Sequence, residues 1–151
     1  MHITKIKTKE NTVEIRFKEE LGLHAEKESV FKCEDEMHPD FTMCFTKLIP
    51  VVYEILELPE EWRAGDMTVT GVTFSLSEST DVEGAVITGL VKLSTTNSPF
   101  CFNTPHLPFG QYSEKGNSPT MSDVAIRRLE RLKLEALEYM NGKRAQMGFD
   151  I

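Results

Sequence analysis

Met67-Thr68-Val69-Thr70-Gly71-Val72-Thr73-Phe74-Ser75-Leu76 decides the fold of this chain. Met67 and Val69 alternate with threonines; Val72, Phe74 and Leu76 then alternate in the opposite phase. Side chains alternate across a strand with a period of two, so each half reads as strand with one apolar face. The phase slips at Gly71. Both halves can keep their apolar side chains on one face only if an extra residue is accommodated there, which predicts a β-bulge.

Working outward, a polar loop runs from Ser77 to Glu83 and ends at Gly84. Ala85, Ile87, Gly89, Val91 and Leu93 define one face of a longer strand, and Phe100 to Phe102 form a short apolar one. On the N-terminal side, His2 to Thr8 is β-prone and Lys9-Glu10-Asn11 can turn. Val13, Ile15 and Phe17 alternate with Glu14 and Arg16, which reads as a hairpin. Leu21-Gly22-Leu23 breaks the pattern, and a third strand is expected over Ser29–Cys33.

Two stretches carry helical spacing instead. Phe41, Cys44, Phe45, Leu48, Val52, Ile55 and Leu56 predict a helix over 39–58, with Pro39 and Asp40 suited to its first turn. Pro50 must kink or divide it, because proline supplies no backbone donor and clashes with the preceding turn. Trp62, the sole tryptophan, is expected to anchor the following linker to the core. Ile126, Leu129, Leu132, Ala136, Leu137 and Met140 form the stripe of a second helix over 122–140, closed by Asn141-Gly142. The order β-β-(β)-α-β-β-β-α predicts an α+β domain, a mainly antiparallel β-sheet of about five or six strands with two packed helices. Residues 1–144 are read as one domain and 145–151 as a C-terminal tail.

The chain has 151 residues, 40% apolar and 27% charged, enough for a sizeable core. No apolar run is long enough to span a bilayer, and the start, Met1-His2-Ile3-Thr4-Lys5, has no signal-peptide character. A cytoplasmic protein with no membrane partner is expected. Cys33, Cys44 and Cys101 are too few and scattered for a disulfide framework and read as small buried hydrophobes. The net charge of −7 argues against a general nucleic-acid binder. From Thr120 onward, however, six Lys/Arg face five Asp/Glu. A locally basic helix on an acidic body suits an acidic partner or a solvated face.

Candidate chemistry is sparse. Cys33-Glu34-Asp35-Glu36-Met37-His38-Pro39-Asp40 gathers carboxylates, a thiol and an imidazole, but as a run before a helix it reads as an acidic solvated loop. No Walker loop, His-Glu-x-x-His or Gly-x-Ser-x-Gly occurs, so no catalytic residue, cofactor or metal is assigned, and the balance leans away from an enzyme. The segment from Asn103 to Pro119, rich in proline and glycine, is long enough to suggest function. Within it Asn103, His106, Phe109 and Tyr112 form a candidate recognition loop, ordered by Asn103 or Thr104, with His106 and Phe109 framing a concave surface. Phe100, Phe102, Phe109 and Tyr112 have the character needed to stack the bases of single-stranded DNA, though such rings more often serve packing.

The last stretch, Gln146-Met147-Gly148-Phe149-Asp150-Ile151, follows the second helix at a free end. A glutamine followed by spaced apolar residues resembles the peptides by which bacterial and phage replication and repair proteins dock on the sliding clamp. The resemblance implies that Gln146 hydrogen-bonds at a pocket mouth, that Met147, Phe149 and Ile151 fill it, and that Lys143 and Arg144 add attraction to an acidic rim.

Gly71-Val72-Thr73-Phe74-Ser75, Asn103-Thr104-Pro105-His106-Leu107-Pro108 and Gly142-Lys143-Arg144-Ala145-Gln146 together resemble an uncharacterised family of small proteins encoded in tailed-phage and prophage genomes, among recombination and replication genes. This likeness implies a setting in DNA metabolism and brings no activity with it. Asp150-Ile151 departs from the shorter Gln-x-x-Leu-Phe-like ending of some relatives. Three functions are therefore expected, in this order: a non-catalytic accessory protein of phage DNA replication or recombination tethered to the sliding clamp; a single-stranded DNA binding or annealing protein; and an acidic protein that inhibits a host defence or nucleic-acid enzyme.

Overall fold

The computed structural model describes residues 1–59, 61 and 66–145. Trp62, Gln146, Met147, Phe149 and Ile151 lie outside the described residues. The elements are β1 (His2–Lys9), β2 (Thr12–Glu20), β3 (Glu26–Cys33), α1 (Pro39–Thr46), α2 (Ile49–Ile55), β4 (Met67–Leu76), β5 (Glu83–Lys92), β6 (Pro99–Asn103), β7 (Leu107–Pro108) and α3 (Asp123–Met140). The strands make one sheet in the order β3-β2-β1-β4-β5-β6, with β7 paired to β5. Every pairing is antiparallel. Two three-stranded meanders thus meet where β1 pairs β4, and α1 and α2 carry the chain between them. This is the expected α+β class.

The bulge in β4 falls where the phase slip placed it. The register passes from Val69↔Gly89 to Gly71↔Thr88, leaving Thr70 as the extra residue. Val69 and Val72 are consequently both buried. A matching irregularity in β1, between Ile3↔Phe17 and Lys5↔Arg16, lets Ile3 and Ile6 share the core face. One face of the sheet contributes Ile6, Ile15, Val72, Phe74, Ala85 and Ile87 to the core. Phe41, Leu48 and Val52 from α1, α2 and their link cover it, with Leu129, Leu132 and Ala136 from α3. The other face carries the alternate residues, among them Lys5, Glu14, Arg16, Lys18 and Thr73.

Three expectations are refined. The predicted 39–58 helix is divided, because α1 ends at Thr46 and α2 starts at Ile49 with Pro50 in its first turn. Proline is tolerated there, where a backbone donor is not needed. Strand β3 starts at Glu26 rather than Ser29. Its first residues are an exposed, charged edge with no apolar alternation, a composition that discourages pairing with other chains. The two-residue β7 brings the sheet to seven strands; it lies inside the proline-bearing loop, where no periodicity can develop.

Candidate interaction site

The chain leaves α3 through a helix ending built for a sharp turn. Ser122 caps the start, its Oγ accepting from Ala125 N–H at 3.2 Å. At the other end Gly142 has φ +109°, a conformation that side chains with a Cβ rarely adopt. Lys143 N–H then donates to the Glu138 carbonyl at 2.9 Å. Residues 143–145 are thereby turned back onto the segment Cys33–Asp40.

That acidic segment acts as a receptor for the end of α3. Tyr139, 1% exposed, donates its hydroxyl to the Asp35 carbonyl at 2.6 Å. Arg144 Nε donates to Asp35 Oδ2 at 3.2 Å, another guanidinium nitrogen donates to the Tyr139 carbonyl, and its plane stacks 3.7 Å from the Tyr139 ring centroid. Ala145 N–H donates to the Glu36 carbonyl at 3.1 Å. Lys143 Nζ bridges Asp40 Oδ2 at 2.9 Å and Glu135 Oε2 at 3.1 Å. Glu135 is only 2% exposed and also accepts from Arg131 at 2.8 Å, so its buried carboxylate is answered by two cations.

Titration follows this geometry. The hydrogen bond from Lys143 holds the Asp40 carboxyl below its ordinary 3.8. Reciprocally, the bonds to Asp40 and Glu135 lift Lys143 above 10.5. Burial, followed by the neighbouring Cys33 thiol, pushes the Tyr139 phenol well above 10. Lys143 and Arg144, expected to greet a partner's acidic rim, are engaged within the domain.

The loop after β6 is pinned to the sheet. Thr104 N–H donates to the Ile87 carbonyl, and Ile87 N–H donates to Thr104 Oγ1, both at 2.9 Å. Asn103 Oδ1 accepts from Thr88 Oγ1 at 2.8 Å. Gln111 closes the distal part through both amide atoms, at 2.7 and 3.1 Å from the Ser118 backbone. His106 Nε2 lies 2.7 Å from Ser75 Oγ. Its ring covers Gly84, where an added Cβ would come within 2.4 Å of Nε2.

Phe109, in contrast, packs against the core, which lies on the other side of β5. His106 and Phe109 therefore do not frame one concavity, because alternation along the segment sends them to opposite faces. The loop's concave surface is a 280 Å³ cleft against α2, to which it contributes Pro105 and Leu107. Of the four rings considered for base stacking, Phe102 is buried and Phe109 half-buried; Phe100 and Tyr112 are exposed.

A third feature was not anticipated. Asp40, Met43, Cys44 and Lys47 of α1 and its cap face Val124, Arg127, Arg128 and Arg131 of α3 across a groove of about 450 Å³. Both sets follow the spacing i, i+3, i+4, i+7, which places each on one helix face. The signal was present in the sequence, but only the packing of α1 on α3 joins the two stripes.

No family model, curated protein or solved structure matches the chain. Among the described residues, no group of three or more His, Cys, Asp or Glu is placed to hold a metal ion. Nor, among them, is any helix long and apolar enough to cross a membrane.

Proposed function

We propose that the protein is a non-catalytic accessory factor of phage DNA replication or recombination that offers residues 146–151 to a sliding clamp. The observation that supports it is the latch of residues 139–145 on Cys33–Asp40. It holds the chain through Ala145, so a peptide that follows starts from a fixed point on the domain. Fixing one end of a binding segment lowers the ordering cost of its capture. Since Lys143 and Arg144 serve the latch, the affinity rests on Gln146 for oriented hydrogen bonds and on Met147, Phe149 and Ile151 for buried area.

A direct test is competition. A synthetic peptide with the sequence of residues 146–151 should displace the full chain from a purified bacterial sliding clamp, and the same peptide carrying Phe149→Ala should do so far less well. Truncating an interface anchor costs on the order of 2 kcal/mol of affinity. Failure of the unaltered peptide to compete for a chain that does bind would place the contact elsewhere on the domain.

A further inference from the structure

We propose that the groove between α1 and α3 is a docking site for an acidic, amphipathic peptide segment of a partner protein. The lining holds four cations, Lys47, Arg127, Arg128 and Arg131, against a single carboxylate, Asp40. That balance is opposite in sign to the chain's net charge of −7. Asp40 is already occupied by Lys143 at 2.9 Å. Arg128 Nη1 donates to the Lys47 carbonyl at 2.9 Å, tying the end of α1 to α3, and Arg131 is held by Glu135. These bonds fix two guanidinium groups in the wall. Among the described residues the Lys47 ammonium and the Arg127 guanidinium have no ion pair, so both remain for a ligand.

The apolar part of the groove selects among anions. Met43 and Val124 are 51% and 46% exposed in the same lining, with Cys44 buried beneath. Methionine adapts to irregular apolar partners, and arginine pairs carboxylates through its planar fork. A segment with carboxylates on one side and leucine-like groups on the other satisfies both parts. A nucleic-acid strand fits less well. Only four cations line the groove, and binding driven by phosphate neutralisation needs a longer basic track.

The test uses the full chain and fluorescence anisotropy. The probes are a labelled peptide of Glu alternating with Leu, its Glu/Ser counterpart, and a labelled oligo-dT. The Glu/Leu peptide should bind, and its affinity should fall with added salt. A loss of about tenfold or more is expected with Lys47→Glu or Arg127→Glu, equivalent to about 1.4 kcal/mol or more, and a clear loss with the Glu/Ser peptide. Both side chains are exposed, so the melting temperature should stay unchanged; Arg127→Gln provides a milder variant for the same comparison. Absence of peptide binding overturns the proposal, as does binding indifferent to these substitutions. Tighter binding of oligo-dT, abolished by the same substitutions, would reassign the groove to nucleic acid.

Discussion

Tyr139 shows how one residue can join distant parts of the chain. Its ring is core, its hydroxyl holds the Asp35 carbonyl, and its outer face carries Arg144. Tyr139→Phe removes only the hydroxyl, leaving a carbonyl without that donor. A loss of about 1 kcal/mol is expected, read from urea unfolding with an unchanged slope. A loss below the error of the measurement would mean that water replaces the hydroxyl without cost. Nothing local in the sequence announced this role. Asp35 stands 104 positions away, and Cys33–Asp40 taken by itself is a polar acidic run. Its carboxylates are exposed, as a solvated loop requires, and Asp35 and Asp40 in addition answer Arg144 and Lys143. His106 was legible as part of a rigid turn, but which side of the sheet it covers depends on Gly84, in another strand.

At the scale of elements, periodicity carried much of the fold. The slip in β4 could be placed because two alternating runs of opposite phase leave no other way to keep Val69 and Val72 inside. The division at Pro50 follows from the missing backbone donor. By contrast, β7 is too short to have a period, and the charged start of β3 has no apolar face to reveal it. The groove stripes are hidden for a different reason: apolar periodicity in α3 reports the residues it buries, while Arg127, Arg128 and Arg131 line the groove beside α1. The end of α3 makes a testable point. Gly142 adopts φ +109°, so Gly142→Ala forces a Cβ into a disfavoured conformation and should cost about 1–2 kcal/mol. Thermal unfolding would measure it, and hydrogen exchange should show the Lys143 and Ala145 amides losing protection first. Equal protection in variant and parent would show that the turn tolerates a side chain.

For the whole molecule, the latch closes the domain by charge as well as by packing, and this gives it a pH signature. Asp40 has a lowered pKa, so its contribution is complete above 3.8 and is lost as the pH falls through its lower folded value. Lys143 has a raised pKa, so its contribution is complete below 10.5 and is lost as the pH rises through its higher folded value. The His38 Nδ1 also faces Asp40 Oδ2, at 3.5 Å, so it is from neutral pH up to 10.5 that the difference in melting temperature between the parent and Asp40→Asn should be constant. It should close on acidification below pH 3.8 and narrow with salt, because the pair is open to solvent. A difference that persisted after Asp40 is protonated, well below pH 3.8, would contradict the assignment.

In the proposed function the latch hands the following six residues to a sliding clamp. Calorimetry of the clamp against the full chain and against a chain lacking residues 146–151 tests it most directly. Binding heat is expected for the full chain, none for the shortened one, and closely similar melting temperatures for the two. Equal heats, whether present or negligible in both, would contradict it, and a large loss of thermal stability on shortening would show that these residues belong to the core instead.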